Sequence, residues 1–224
     1  MSERLSKRLT ALCGILGTIS LLIYFSAPYW LMPLPPPNTS VEQLIIFGKQ
    51  YHDLILFDTW LQQIGSLLSV IFVLGLVHLA GASDKFLGKL TLLVSGLILA
   101  LSLAEGTFAL ATIQAGENEQ PQAMLTCFGL TNVFIHIFLI APSLFLVMGG
   151  ALKGTRLLPR IFVNLAILLG LLFQILGFVG LYNKTAIVWV IFILMAQNIW
   201  TLAASIALIW RPGKLPVKIE SKND

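Results

Sequence analysis

The chain has 224 residues, of which 57% are apolar and only 11% are charged, and its formal net charge is +4. Soluble domains carry about 25% charged residues, so this composition excludes a soluble fold and indicates a protein of the lipid bilayer. The basic excess does not indicate nucleic-acid binding, because the cations are spread over several short segments between apolar runs.

Six runs of the sequence are apolar and long enough to cross a bilayer as α-helices, which takes about 20 residues each. We therefore predict an all-α, polytopic membrane helix bundle with six transmembrane helices in one domain, residues 10–210. Residues 1–9 form a cytoplasmic N-terminus and residues 211–224 a cytoplasmic basic tail. The predicted spans cover about residues 10–30, 60–81, 90–113, 124–149, 161–182 and 186–210.

The first run follows a basic N-terminus, as a secretory signal does. It is longer than the apolar part of a typical signal, and no small-x-small cleavage site follows it. We therefore expect this run to remain in the protein as the first span.

The placement of the basic residues predicts the orientation of the chain. Lys49 and Lys184 alone fall in the odd-numbered connections, and the other Lys and Arg residues flank the opposite ends of the spans. By the positive-inside rule both termini are cytoplasmic, so we expect an inner (plasma) membrane protein with N-in and C-in topology. Anionic lipids at the cytoplasmic face are the expected partners of these cations.

The connection after the first span is long and opens with a proline-rich piece. In it Ser40 and Gln43 match a capping box, in which two side chains satisfy free amides at a helix start. Leu44 and Phe47 supply an apolar face, which predicts a short interfacial helix in the first outer loop. Two roles stay open for this helix: a passive cap on the membrane surface or a lid over a cavity.

Two further residues mark the outer half of the bundle and its interior. Asp58 precedes "TWLQQ", and we interpret it as the N-cap of the second span, with an acid at a pocket mouth as the alternative. Trp200 falls deeper than the aromatic residues at the span ends, so we expect it to pack inside the bundle. The expected interfacial aromatic residues are Tyr29, Trp30, Trp60, Tyr182, Trp189 and Trp210.

The segment "GGALKGTRLLPRIFVNLAILLGLL", residues 149–172, joins a small-residue helix end through a Thr to Leu-Pro-Arg and a Leu- and Gly-rich span. With the hydropathy of the C-terminal half, this inner loop resembles an uncharacterised family of prokaryotic six-to-seven-span inner-membrane proteins, a domain of unknown function. The resemblance implies a multi-pass protein of a bacterial inner membrane and brings no particular activity. It rests on Gly149, Gly150, Thr155, Leu158, Pro159 and Arg160.

An acid, Glu105, lies inside the third predicted span. Because an ionised side chain at a helix centre costs about 2.5 to 3.5 kcal/mol in a bilayer, Glu105 must face other helices or water. Thr91, Ser102 and Thr112 lie on the same stripe of the helix.

Other spans place polar side chains at a similar depth, as counted from the helical rise. This layer predicts a polar pocket that opens toward the outside and is closed below by more apolar inner halves. In it Glu105 and His136 would exchange a proton, whereas hydrogen bonding within the bundle is the alternative role for His136 and the amides. The second span adds Gln62, Gln63 and Ser66 toward the outer side. The candidate ligand- or proton-binding residues are Glu105, His136, Asn132, Gln174, Gln197, Asn198 and Ser102.

Three functions agree with these observations. The first is a protein that binds or transports a small solute or a proton through an outward-facing intramembrane pocket, with a small-molecule ligand and a second copy of the chain as partners. The second is a membrane-embedded enzyme or redox partner acting on a lipid or quinone, and the third is a non-catalytic assembly or accessory subunit. The sequence lacks H-E-x-x-H and G-x-S-x-G motifs, so we predict no metal, no cofactor and no catalytic residue.

Overall fold

The computed structural model describes residues 3–30 and 39–210, without the side chains of residues 28–30, 132, 135, 136, 138, 140 and 184. Within these ranges the chain forms eight α-helices and no strand, which confirms the all-α prediction. The helices are α1 Glu3–Trp30, α2 Val41–Gln50, α3 His52–Leu79, α4 Phe86–Glu117, α5 Pro121–Ile140, α6 Leu144–Leu152, α7 Arg160–Gly180 and α8 Lys184–Trp210.

Five of these helices, α1, α3, α4, α7 and α8, are long and apolar enough to cross a membrane. Their outward faces expose large apolar side chains such as Leu93, Ile161 and Ile199, each more than half exposed. In a soluble protein such a surface would drive association, whereas in a bilayer it faces lipid. The bundle thus has the character of a membrane protein, while the count of six spans and the cytoplasmic location of both termini stay predictions.

The fourth predicted span, residues 124–149, is not one continuous helix, and this corrects the prediction. Helix α5 ends at Ile140 and α6 begins at Leu144. Pro142 lies between them, and its ring and missing amide disrupt the helix there. Ser143 then restarts the helix, because its hydroxyl accepts a hydrogen bond from the amide of Leu146 at 3.4 Å.

Two other boundaries also differ from the prediction. Helix α1 begins at Glu3, before the predicted start of the span near residue 10, and the cytoplasmic location of residues 1–9 stays a prediction. Helix α3 begins at His52 rather than near residue 60, and Asp58 lies within it, so the interpretation of Asp58 as an N-cap is wrong. Residues 1–2 and the predicted tail at 211–224 lie outside the described residues.

Helix α2 confirms the predicted capping box and short helix. The Ser40 hydroxyl accepts from the amide of Gln43, and the Gln43 side chain accepts from the amide of Ser40, both at 3.4 Å. Leu44 is 2% exposed and packs with Ala115 and Met124. Helix α2 therefore lies on α3 and α4 and is part of the bundle rather than a detached surface helix.

The long helices pack in a ring. Helix α1 lies between α3 and α8, α8 contacts α7, α7 contacts α5 and α6, and α4 completes the ring by contacting α3, α5 and α6. Glycines allow close approach between these helices, as is common in membranes. A methyl group at Gly17 of α1 would come within 3.1 Å of Ser69 and Leu68 of α3, and one at Gly65 of α3 would lie 2.8 Å from Leu21.

The basic residues in the first two turns of α1 and in the connections α3–α4 and α6–α7 lie at one end of the ring. We call this end the basic end. Its interior is filled by side chains that are 0% exposed, among them Phe72, Leu76, Met148 and Leu152. Trp200 is also buried and donates a hydrogen bond from Nε1 to the carbonyl of Phe162 at 2.9 Å, which confirms its predicted packing.

Helix α2 and the first turns of α3 and α5 lie at the other end of the ring, which we call the opposite end. Trp60, Tyr182 and Trp189 are there, and each is more than half exposed on the outer surface of the bundle. Exposed aromatic residues at this level fit the predicted interfacial belt, because their rings favour the boundary between lipid and water.

Candidate functional site

Glu105 lies on α4 with its side chain half-buried and turned toward α3. Its Oε2 accepts a hydrogen bond from Nε2 of Gln62 at 2.7 Å. The buried acid is therefore held by an amide of the neighbouring helix, as required where lipid cannot solvate it.

Further polar contacts continue this seam between α3 and α4. Gln63 donates from Nε2 to the carbonyl of Ser102 at 2.7 Å, and the Ser102 hydroxyl donates to that of Ser66 at 3.1 Å. Gly106 makes the contact between Gln63 and Ser102 possible, because a methyl group at Gly106 would overlap the Gln63 amide. Ser102, a predicted site residue, thus helps to fix the helix that carries Glu105.

A second acid, Asp58, lies one turn from Gln62 on the same face of α3. Its Oδ1 is buried and has no hydrogen-bond partner among the residues that the structure describes. Tyr24 of α1 is close enough to interact electrostatically with both Asp58 and Glu105. Ionisable groups from three helices therefore converge, and we call Tyr24, Asp58 and Glu105 the acid cluster.

A cavity of about 520 Å³ lies at the opposite end, between α2, the start of α3, the end of α4 and the start of α5. Lys49, Gln50, His52, Asp53 and Glu117 contribute polar groups to its lining. The rest of the wall is largely apolar and includes Leu44, Phe47, Ile113, Met124 and Phe128. Its size and character are those of small-molecule sites in proteins.

Asp58 and Glu105 do not line this cavity and lie deeper in the bundle. Ile55 of α3 and Ala109 of α4 line the cavity, whereas Asp58 and Glu105 lie about one turn deeper on the same helix faces. One turn corresponds to about 5.4 Å along the helix axis. The largely apolar wall of the cavity thus lies between the polar groups of its mouth and the deeper carboxyl groups of Asp58 and Glu105.

His52 connects two helices at the mouth of the cavity. Its Nδ1 lies 2.8 Å from Oδ1 of Asp53, and its Nε2 lies 3.0 Å from Oε1 of Glu117. Each ring nitrogen thus faces a carboxylate oxygen, one on its own helix and one on α4. The contact joins the first residue of α3 to the last residue of α4. No motif around His52 indicates this contact in the sequence.

Three of the predicted site residues bind backbone groups away from the acid cluster. Gln174 accepts a hydrogen bond from the amide of Ser143 at 3.0 Å, in the break between α5 and α6. Gln197 donates to the carbonyl of Leu169 at 3.4 Å. Asn198 donates to the carbonyl one turn earlier in its own helix at 3.0 Å. These contacts correspond to the packing role that the sequence left open for the amides.

Asn132 and His136 lie on α5, which packs against α4, but their side chains are outside the described part of the structure. The proton exchange between Glu105 and His136 therefore stays a prediction. The partner of Glu105 that the structure does describe is Gln62, which the sequence placed in the outer half without assigning a contact.

The site offers hydrogen-bonding and protonatable groups rather than a metal centre. Among the described residues, no group of three or more His, Cys, Asp or Glu side chains could hold a metal ion. The structure places here a largely apolar cavity and, deeper, the carboxyl side chains of Asp58 and Glu105.

The fold and the site together define an all-helical protein with five long apolar helices and an end-on cavity above buried carboxyl groups. Compared with known proteins, the chain matches no family model, no curated protein and no solved structure. The resemblance of residues 149–172 to a prokaryotic membrane family thus stays a prediction.

Proposed function

We propose that this chain is a multi-pass membrane protein that binds a small solute in the cavity under α2, with Glu105 as its proton-binding residue. The observation that carries the proposal is the cavity of about 520 Å³ with two carboxyl side chains about one turn beneath it. Ionisable groups inside membrane helices are costly, and they are found mainly where a substrate, ion or proton must bind.

Helix α2 acts as the lid in this proposal. It contributes Leu44, Phe47 and Lys49 to the cavity lining, so a solute must pass beside it or displace it. A helix that merely rested on the bilayer would have no reason to enclose a space between itself and α4. We therefore favour the lid among the two roles that the sequence left open.

The positive-inside rule gives the orientation of the proposed site. With the basic end in the cytoplasm, the cavity opens toward the outside of a plasma membrane, and solute and proton enter from there. Anionic lipids would bind the basic end. His136, on the helix beside Glu105, is the proposed second proton-binding residue.

The test uses three apolar probes of similar shape: tetraphenylphosphonium, tetraphenylborate and neutral triphenylphosphine oxide. A ligand present at one hundred times its Kd stabilises a protein by about 2.7 kcal/mol, so at least one probe should raise the unfolding midpoint of the purified protein. Ala109→Phe should abolish the rise, because the added ring takes up part of the space that the probe needs.

The proton role is tested by calorimetry of the bound probe in two buffers that differ in ionisation enthalpy. Wild type should exchange protons on binding, and Glu105→Gln should exchange fewer. Glu119→Gln is the matched control, because this substitution removes the same charge at an exposed position of the same end. The proposal fails if no probe stabilises the wild type, or if Glu105→Gln exchanges as many protons as the control.

A further inference from the structure

We propose that the occupant of the cavity is a lipophilic cation, with an aromatic or apolar body against α2 and a positive centre directed toward Asp58 and Glu105. This inference rests on the proposed function and names the class of its ligand. It follows from the apolar wall, the balance of charge around the cavity and the unpaired oxygen of Asp58, taken in turn.

The wall of the cavity selects an apolar body. Leu44, Ile113 and Met124 contribute aliphatic surface, and Phe47 and Phe128 contribute aromatic rings. Aromatic faces attract cations that pass over them, in addition to the apolar area that they bury. A small hydrophilic solute such as a sugar would leave its hydroxyl groups unpaired against this wall.

The charges around the cavity favour a cation over an anion. Asp53 and Glu117 at the mouth and Asp58 and Glu105 below it are four acids, whereas Lys49 and His52 are the basic residues of the lining. His52 already contacts both mouth acids, so its ring nitrogens have partners within the protein. Among the described residues, no Lys, Arg or His side chain forms an ion pair with either of the two deeper acids. The basic residue of α5, which packs against α4, is His136, and its side chain lies outside the described part of the structure.

Asp58 supplies the most specific observation. Buried polar atoms in folded proteins almost always have a hydrogen-bond partner, yet Oδ1 of Asp58 has none among the described residues. Tyr24 interacts electrostatically with Asp58, and Glu105 takes its hydrogen bond from Gln62. A positive centre in the cavity, about one turn above, would give this carboxyl group a counter-charge.

Binding of such a cation is coupled to the release of a proton. When the cation meets a protonated carboxyl group, the O–H bond breaks, the carboxylate stays as the counter-ion and the proton leaves to solvent. Charge is balanced without any further reactant. Affinity for the cation should therefore rise with pH, and protons should be released, not taken up, on binding.

The experiment compares tetraphenylphosphonium with tetraphenylborate, which has the same shape and the opposite charge. We expect saturable binding of the phosphonium to the wild type by calorimetry in fixed detergent, with proton release and no binding of the borate. Asp58→Asn should weaken the phosphonium at least tenfold, and Glu119→Gln should leave its affinity unchanged. The unfolding midpoint of each variant checks that it is folded.

The outcomes separate this inference from the proposed function. If the borate or the neutral oxide binds in a manner that Ala109→Phe abolishes, and the phosphonium does not, the cavity is a solute site and the cation inference is wrong. Equal binding of phosphonium by Asp58→Asn and wild type also overturns it. If none of the probes binds, both proposals fall. The comparison of probes on the wild type decides the matter even if Asp58→Asn does not fold.

Discussion

The two ends of the helix ring differ in what fills the space between the helices. At the basic end, Phe72, Leu76, Met148 and Leu152 are 0% exposed and leave the interior packed. At the opposite end, the same ring encloses a cavity of about 520 Å³ under α2. The short helix α6 and the loop after it account for the difference, because they fill the ring at the basic end only. The packed interior and the cavity of the proposed solute site therefore lie at different ends.

The largest effect should come from a cavity made at the packed end. Phe72→Ala removes a ring that is 0% exposed, and truncations of this kind cost about 3 to 5 kcal/mol. The free energy of unfolding, measured by titration with a denaturing detergent, should fall by that amount. Phe86→Ala is the control, because Phe86 is 77% exposed and should cost little. Similar losses for both variants would contradict the contrast between a packed interior and an open one.

A smaller effect is expected at the hydrogen bond between Gln62 and Glu105. Gln62→Leu removes the amide that donates to Glu105, which leaves a half-buried carboxyl group without that bond. Loss of a partner to a buried polar group costs about 1 to 3 kcal/mol, so the unfolding free energy should drop within that range. Gln114→Leu, at an exposed position of the same helix pair, should change it much less. An unchanged stability in Gln62→Leu would mean that the bond does not support Glu105.

Two glycines of α4 test how closely the site is packed. A methyl group at Gly106 would overlap the Gln63 amide, so Gly106→Ala should cost about 1 to 3 kcal/mol. At Gly96 nothing lies within 4 Å, so Gly96→Ala should instead stabilise the helix by about 0.5 to 1 kcal/mol. Opposite signs in the two unfolding curves are expected, and equal signs would argue against the close α3–α4 seam.

The smallest effect is expected at the N-terminus of α2, the proposed lid. Ser40→Ala removes the N-cap of α2, which is worth about 1 kcal/mol to a helix. Hydrogen exchange should become faster at the amides of α2 and stay unchanged at the basic end. Ser26→Ala is the control, because the Ser26 hydroxyl binds only the carbonyl of Ile23 in its own helix within the described contacts. Equal exchange in α2 of both variants would show that the cap does not hold the lid.

The features predicted from the sequence are those that depend on neighbouring residues. The apolar runs gave the long helices, and the Ser40 to Gln43 spacing gave the cap of α2. Asp58 was misplaced because the apolar run before it extends the helix back to His52, and a local cap signal does not reveal that.

The contacts between helices could not be predicted. Equal depth brought Gln174 and Gln197 into one predicted layer with Glu105, but depth does not tell which helices are neighbours. In the structure these amides bind backbone groups near α7, and Glu105 meets Gln62 of α3. The residues that line the cavity could not be predicted for the same reason, because its wall comes from four helices.

The break at Pro142 separates two helices that belong to different parts of the bundle. Helix α5, before it, contributes Met124 and Phe128 to the cavity, and α6, after it, contributes Met148 and Leu152 to the packed interior. The break at Pro142 is thus a joint between a helix that lines the cavity and a helix that fills the basic end, and we expect α5 to move at this joint when a ligand binds. Distances between spin labels on α5 and α7, measured with and without tetraphenylphosphonium, would reveal a rotation at this joint.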